Sequence, residues 1–209
     1  YEELQTLSKA QPDNVQIFIR MANIAFMMEN YGAMATACEK AILLDSENAT
    51  AHYLYAEACK GQGDDVNTIA MATKAISIDN KQGNAYLLRG ETYLRTQQLS
   101  EAEADADWLL EHTEDNEDVL LLKARIERAA NRNDEAIEYF TKAIDANPFS
   151  YTAFKERSEM YSLIGNEAKA KEDAERAEEL MPTEGKENAE ENIEKQLNDK
   201  YKQMNPYGF

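Results

Sequence analysis

The tripeptide Lys-Ala-Ile occurs three times, at Lys40-Ala41-Ile42, Lys74-Ala75-Ile76 and Lys142-Ala143-Ile144. The second copy follows the first by 34 residues, and the third follows the second by 68, which is twice that interval. Pro148 and Pro182 are also 34 residues apart. Self-similarity at a fixed interval of about 20 to 50 residues indicates a stack of similar units, because each unit buries its apolar face only against a neighbour. The sequence therefore predicts a repeat protein with a 34-residue unit.

Five consecutive units fit without a gap, at residues 15–48, 49–82, 83–116, 117–150 and 151–184. A large side chain stands near the start of each predicted unit: Phe18, His52, Tyr86, Leu120 and Phe154. Four residues later the side chain is small enough for two helices to approach closely: Ala22, Ala56, Gly90, Ala124 and Ser158. Gly63, Asn131 and Gly165 stand where a first helix must end, and Ser100 with Glu103 predicts a capping box at the start of a second helix. Each unit should contain two helices.

The 34-residue unit with these large and small positions resembles the tetratricopeptide repeat family over most of the chain. The resemblance implies an all-α fold, a right-handed α-solenoid of five helix-turn-helix units. It also implies that the first helices of the units line a concave groove, and that the chain binds other proteins.

The segments that flank the repeats are expected to complete the stack. Residues 1–14 have the pattern of the tail of a preceding helix, so we expect the array to be a piece of a longer chain. Residues 185–204 are predicted to form a capping helix, because apolar residues recur along one side of it: Ala189, Ile193, Leu197, Tyr201 and Met204. We expect residues 205–209 to form a flexible tail, although Tyr207 and Phe209 would also suit insertion into a groove.

The charge of the chain limits its partners. Forty Asp and Glu residues against 22 Lys and Arg give a formal net charge of −18 at pH 7. Such a surface repels phosphate groups, so neither nucleic acid nor an anionic membrane is an expected partner. No apolar stretch is long enough to span a membrane and no signal segment is visible, so we expect a soluble protein. The cytoplasm is favoured as the compartment, and the periplasm or secretion fits if an N-terminal signal has been removed.

Few residues in the sequence could carry catalysis or bind a metal. Two Cys and two His are too few for a structural zinc site, and no phosphate-binding loop or catalytic motif occurs. We therefore expect no metal, no cofactor and no enzymatic activity. Cys38 and Cys59 fall on consecutive predicted helices, which leaves a disulfide open, although a buried free cysteine is the more common case.

One position of the first helices should be buried, yet it carries a cation in three units: Met21, Tyr55, Arg89, Lys123 and Arg157. Sixteen residues later, on the second helix of the same unit, stand Ala37, Met71, Asp105, Tyr139 and Asp173. Because Asp occurs where Arg occurs, an ion pair is predicted between Arg89 and Asp105. A second ion pair is predicted between Arg157 and Asp173. The alternative is that these cations extend past the helix edge into water.

Two further ionisable residues fall at predicted core positions of the fourth unit. The same spacing of sixteen residues would place the cation of Lys123 over the ring of Tyr139. Glu127 would be an unusual core residue, and a buried ion pair explains it more simply than a catalytic role.

The resemblance predicts a ligand groove on the first helices, formed by Ile19, Asn23, Phe26, Tyr53, Glu57, Leu87, Glu91, Leu94, Leu121 and Arg125. Four of these residues repeat at one position and form an apolar stripe: Ile19, Tyr53, Leu87 and Leu121. An exposed apolar strip with a charged rim often marks an interaction site. The alternative is that these side chains make ordinary packing contacts between neighbouring units.

The predicted partner is a protein or peptide that is apolar, basic or both, because the chain itself is acidic. Family members that bind the acidic C-termini of heat-shock chaperones use a clamp of Lys, Arg and Asn side chains. Only Asn23 matches that clamp, and apolar residues replace the polar ones elsewhere: Ile19, Leu54 and Leu88. The sequence therefore predicts a non-catalytic protein-interaction module without a carboxylate clamp. The alternative is a structural scaffold or a self-assembling homo-oligomer.

Overall fold

The computed structural model describes residues 2–114 and 116–181. These residues form eleven α-helices and contain no β-strand. The helices of the first half are α1 (Glu2–Ala10), α2 (Val15–Met27), α3 (Tyr31–Leu44), α4 (Ala49–Gly61), α5 (Asp65–Ile78) and α6 (Gly83–Arg95). Those of the second half are α7 (Leu99–His112), α8 (Glu117–Ala129), α9 (Asn133–Ala146), α10 (Tyr151–Leu163) and α11 (Glu167–Leu180). The predicted all-α helical-repeat fold is confirmed.

The 34-residue period reappears in the places where the helices begin. The first helices of the five pairs start at residues 15, 49, 83, 117 and 151. The second helices start at residues 31, 65, 99, 133 and 167. Helix α1 lies within the segment expected to be the tail of a preceding helix. The expected capping helix at 185–204 and tail at 205–209 lie outside the described residues.

The chain divides into two compact units within α6. The N-terminal unit contains the described residues up to Arg89, and the C-terminal unit begins at Gly90. In the N-terminal unit α2 contacts α3, α3 contacts α4, α4 contacts α5, and α2 also contacts α4. In the C-terminal unit α7 contacts α8, α8 contacts α9, α9 contacts α10, and α10 contacts α11. A first helix therefore packs against its own second helix and against the neighbouring pair.

Polar caps fix where most of the helices begin. Asn14, Asn48 and Ser150 each accept a backbone N–H of the first turn of the helix that follows. The expected capping box is wrong: α7 begins at Leu99, with Gln98 before it, so Ser100 already lies inside the first turn. The period of the helix starts decides the position, because every other second helix begins 34 residues from its neighbours.

The turn inside each helix pair uses a left-handed residue. Positive φ angles occur at Gly63 (75°) and Gly165 (77°), and the same position holds Glu29 (54°), Gln97 (61°) and Asn131 (60°). The glycines and Asn131 were expected there, because they tolerate this conformation. Glu29 and Gln97 adopt it at a cost, since the side chains of other L-residues crowd the backbone.

The cores are built from small residues at helix contacts and large residues between them. In the N-terminal unit Ala22 and Ala56 are fully buried, together with Met34 and Cys38. Cys38 and Cys59 are both buried free thiols, so no disulfide joins them. Burial raises the pKa of the Cys38 thiol to about 12.

One close contact in the N-terminal unit depends on a glycine. A Cβ atom on Gly61 would lie 2.3 Å from ring atoms of Tyr31. The side chain of Gln62 also donates a hydrogen bond to the backbone oxygen of Tyr31, at 3.1 Å. The end of α4 and the start of α3 therefore meet at a point where only glycine fits.

Candidate partner-binding surface

The predicted groove residues fall on two separate surfaces, one in each unit. The N-terminal first-helix face comprises the predicted residues of α2, α4 and the start of α6: Ile19, Asn23, Phe26, Tyr53, Glu57 and Leu87. The C-terminal first-helix face comprises those of the end of α6 and of α8: Glu91, Leu94, Leu121 and Arg125.

The predicted apolar stripe is mostly buried. Ile19, Tyr53 and Leu121 have exposed fractions of 8%, 6% and 5%, and all three belong to the hydrophobic cores. Only Leu87 is half-buried. The expectation of an exposed apolar strip is therefore wrong for three of its four members. The reason is that a first helix also packs against the neighbouring pair, as α2 does against α4, and this contact covers the side of the helix that carries the stripe.

Asn23 is the most unusual polar residue of the N-terminal first-helix face. The residue is half-buried, and its Oδ1 atom is buried without a hydrogen-bond partner among the described residues. Phe26, one turn further along α2, is half-buried as well. An unsatisfied buried acceptor costs about 1–3 kcal/mol, so such an atom is an effective site for a hydrogen bond from a bound molecule.

On α4 the two predicted groove residues bind each other. The hydroxyl of Tyr53 donates a hydrogen bond to Glu57 Oε1 at 2.8 Å. This contact orients the Glu57 carboxylate along the surface of α4, one turn beyond the buried Tyr53 ring.

The C-terminal first-helix face carries a cluster of charges. Arg125 donates from Nε to the two carboxylate oxygens of Glu156, at 2.9 and 3.1 Å. Arg128 approaches the same carboxylate at 3.2 Å and reaches Glu159 at 3.5 Å. Burial opposes the charge of Arg125, but its hydrogen bonds to Glu156 outweigh this effect and raise its pKa. Two guanidinium groups on α8 thus bind two carboxylates on α10.

Sequence analysis missed Glu156 as a member of this surface. Arg125 and Glu156 are 31 residues apart and lie on different helix pairs, so no spacing inside one unit relates them. The available signal was that α8 and α10 carry matching pairs at the same spacing of three residues: Arg125 with Arg128, and Glu156 with Glu159.

The ion pair expected between Arg157 and Asp173 is present. Arg157 donates from Nε and Nη2 to the two oxygens of Asp173, at 2.7 and 2.8 Å, and from Nη1 to Thr141 Oγ1 at 3.0 Å. Asp173 is only 4% exposed. Arg89 donates to Thr73 Oγ1 at 3.0 Å. Its pairing with Asp105 stays a prediction, because these two residues belong to different units.

Lys123 does not lie over Tyr139 as expected, because three carboxylates surround its ammonium group. The distances from Nζ are 2.7 Å to Asp107, 3.0 Å to Glu103 and 3.2 Å to Glu127. Burial opposes the charge of Lys123, but these hydrogen bonds prevail and raise its pKa. The ring of Tyr139 instead lies 4.6 Å from Nζ of Lys142.

Glu127 is in a buried ion pair, as the sequence suggested. Its carboxylate binds Lys123 on one side and Arg132 on the other. Burial disfavours the charged carboxylate, but the hydrogen bonds from these two cations outweigh burial and lower its pKa.

A repeated hydrogen bond links each first helix to the second helix of the preceding pair. It always joins residues sixteen positions apart, and its four examples are Tyr55 to Glu39 (3.1 Å), Arg89 to Thr73 (3.0 Å), Lys123 to Asp107 (2.7 Å) and Arg157 to Thr141 (3.0 Å). The sequence search looked for partners in the following helix only. The signal for the preceding helix was a polar residue at every one of the acceptor positions.

The described residues offer no site for a metal ion, since no three His, Cys, Asp or Glu side chains within 2–114 and 116–181 are grouped to hold one. Within the same ranges, no helix has both the length and the apolar character needed to cross a membrane.

Comparisons with known proteins point to one kind of fold. Residues 87–151 match the tetratricopeptide repeat family model. PilW, described as a widely conserved type IV pilus biogenesis factor, is a similar solved structure with TM-score 0.78 and 18% identity, over 87% of this chain and 84% of that one. A tetratricopeptide repeat protein from Parabacteroides merdae matches with TM-score 0.74 and 19% identity, over 100% of this chain and 85% of that one.

A third similar structure is YrrB, described as a tetratricopeptide repeat protein with an unusual peptide-binding site. It matches with TM-score 0.68 and 19% identity, over 87% of this chain and 93% of that one. No curated protein matches the sequence. The resemblance found in the sequence is thereby confirmed: this chain contains tetratricopeptide repeats, within residues 87–151, and has the all-α fold of tetratricopeptide repeat proteins.

Proposed function

We propose that this chain is a non-catalytic protein-interaction module, which binds a peptide segment or helix of a partner protein on its first-helix faces. The tetratricopeptide repeat family typically serves protein–protein interaction. Among the similar structures, YrrB is described as having a peptide-binding site, and we extend that kind of function to this chain.

The observation that carries the proposal is the orphan acceptor of Asn23. Its buried Oδ1 lacks a partner among the described residues, and a backbone N–H of an extended peptide would supply one. The half-buried side chains of Phe26 and Leu87 lie on the same first-helix face and would provide apolar contact. Peptide binding of this kind needs neither a cofactor nor a titrating side chain.

The partner we propose is apolar, basic or both. The net charge of −18 favours basic partners at long range. A carboxylate clamp does not fit, because Leu54 and Leu88, at clamp positions, are each only 2% exposed. Arg125 is also unsuited to capture a partner carboxylate, since Glu156 already occupies its guanidinium group.

The experiment selects binders for the full chain from a library of random 15-residue peptides and measures their affinity by fluorescence anisotropy. Ile19→Glu and Leu121→Glu are poor test variants, because charges at these buried positions would unfold the chain. Leu87→Glu, at a half-buried position, should weaken the selected peptides at least tenfold. Leu43→Glu is the matched control, since Leu43 lies on α3 and is 77% exposed.

Equal weakening by both variants would contradict the proposal, and so would a library that yields no peptide binder. Circular dichroism of each variant must match that of the original chain, so that a lost fold is not mistaken for a lost site.

A further inference from the structure

A surface pocket of about 320 Å³ lies between α10 and α11. Its lining includes small residues from both helices, with charged residues around them: Ser158, Ala174, Ala177, Lys155, Glu159 and Glu178. Ala174 is exposed, but the residue 34 positions earlier is Phe140, which is fully buried in the core of the C-terminal unit. The change from Phe to Ala leaves room here for a large side chain from another helix.

The preceding helix pair indicates what this kind of surface accommodates. Helix α10 packs against α9, and Ala153, Glu156 and Met160 of α10 are buried. Ala153 and Met160 belong to the same hydrophobic cluster as Leu121 of α8 and Phe140 of α9. The surface of one helix pair is therefore shaped to receive a helix, with a small, a central and a large residue at i, i+3 and i+7.

The central residue of α10 is chosen by charge. Glu156 binds Arg125 and Arg128 on α8. One repeat later, Glu159 stands in place of Arg125. A helix that lies on α10 and α11 in the same way would meet a carboxylate where α10 meets a guanidinium group. The matching residue on that helix is Lys or Arg.

The end of α11 reinforces this preference for a cation. Its last turn contains Glu178 and Glu179 and no basic residue. The C-terminal end of a helix is the negative end of its dipole, so acidic side chains there add to the negative potential. Glu178 lines the pocket, and Met181, 51% exposed, offers apolar surface beside it.

We propose that the α10/α11 pocket is a second docking site, for an amphipathic helix of a partner protein with a small, a basic and a large apolar residue at i, i+3 and i+7. The basic residue binds Glu159, and the large apolar residue fills the space above Ala174 and Ala177. This site is formed entirely by the C-terminal unit and does not involve Asn23.

The test uses two lactam-bridged helical peptides with the sequence of residues 150–163, one unchanged and one carrying Glu156→Arg. Fluorescence anisotropy measures the binding of each labelled peptide to the full chain. The Glu156→Arg peptide should bind at least tenfold more tightly than the unchanged peptide. In a chain that carries Glu159→Arg the preference should reverse, because the charge on the pocket rim is reversed.

Glu172→Arg is the control for the chain, since Glu172 is exposed on α11 and does not line the pocket. It makes the same change in charge and should leave the preference unaltered. Equal binding of the two peptides, no binding up to about 1 mM peptide, or a reversal by Glu172→Arg as well would overturn the proposal.

A second variant tests the pocket itself. Ala174→Trp fills the space and should abolish binding of the Glu156→Arg peptide, whereas Ala168→Trp, at an exposed position of α11 outside the pocket, should not. Sedimentation analysis of the chain alone decides the other occupant. A dimer that Ala174→Trp dissociates would assign the pocket to a second copy of the chain and overturn the assignment to a partner protein.

Discussion

Arg157 holds Asp173 with two hydrogen bonds, of 2.7 and 2.8 Å, between α10 and α11. Its third hydrogen bond, to Thr141 at 3.0 Å, extends the contact to α9. One guanidinium group therefore joins three successive helices of the C-terminal unit. Because the carboxylate of Asp173 is nearly inaccessible to water, loss of either partner leaves the other charge without compensation.

Asp173→Ala should lower the free energy of unfolding by about 3–5 kcal/mol. Arg157→Met should do the same, and the double variant should lose less than the sum of the two single losses. Urea titrations of the full chain measure all three values. Removal of the exposed pair Arg176 and Glu179 is the control and should cost under about 1 kcal/mol. Strict additivity of the two single losses at Arg157 and Asp173 would contradict the pairing.

The cluster around Lys123 makes stability depend on pH in the acid range. The pKa of Glu127 is lowered in the folded state, because the hydrogen bonds from Arg132 and Lys123 outweigh its burial. A carboxyl with a lowered folded pKa stabilises the fold above its unfolded pKa of about 4.3, and this contribution is lost as the pH falls through the folded pKa. Glu127→Gln should therefore reduce stability at pH 7 and reduce it much less at pH 3. A variant that is equally destabilised at both pH values would contradict this account.

The turn position inside each helix pair offers a simple way to stabilise the chain. Gln97 has a φ of 61° where Gly63 has 75°. Because a left-handed conformation costs a side-chain-bearing residue about 1–2 kcal/mol, and glycine loses about 0.5–1 kcal/mol in entropy, Gln97→Gly should stabilise by roughly 0.5–1 kcal/mol. Gly63→Gln should destabilise by a similar amount. Thermal unfolding followed by circular dichroism gives both values, and shifts of the same sign would be inconsistent with strain at this position.

The contact between Gly61 and Tyr31 predicts a conditional effect. Gly61→Ala should destabilise the chain, because the new Cβ would lie 2.3 Å from the Tyr31 ring. When Tyr31→Ala has removed that ring, Gly61→Ala should be neutral or stabilising by up to about 1 kcal/mol, since alanine favours the helix over glycine. Urea titrations of the two single variants and the double variant measure this difference. The same cost of Gly61→Ala with and without Tyr31 would show that the ring is not the obstacle.

Asn23 should separate binding from stability. In Asn23→Leu the orphan acceptor disappears, so the free energy of unfolding should rise by about 1 kcal/mol while peptide affinity falls. Urea titration and anisotropy with a selected peptide measure the two effects on the same sample. Loss of both stability and affinity would indicate that Asn23 is a structural residue whose acceptor is satisfied in solution.

The helix starts and the turn residues were predictable because they follow from local sequence. Gly63 and Gly165 mark the ends of first helices, and Ala22 or Ala56 marks a close contact within a unit. The contact of Arg157 with Asp173 was predictable for the same reason, since both belong to one helix pair whose geometry the repeat fixes. Every one of these features depends on residues within a single 34-residue unit.

The exposure of the candidate surface was not predictable in this way. Ile19 and Tyr53 have the spacing of groove residues, yet the contact of α2 with α4 buries the face that carries them. Lys123 was assigned to a ring on the following helix, but three carboxylates compete for it, and charge compensation of a buried ammonium group outweighs a cation–π contact. The binding of Glu156 by Arg125 depends on how one helix pair meets the next, which no spacing within a unit records.

The central claim is that a partner peptide binds the N-terminal first-helix face through Asn23. It is tested most directly by following the side-chain amide of Asn23 in proton–nitrogen NMR spectra of the full chain during titration with a library-selected peptide. The account predicts that the Asn23 amide signal shifts in proportion to the bound fraction, while the side-chain amide of Asn67 on α5 stays in place. An Asn23 signal that does not move at saturation would contradict it.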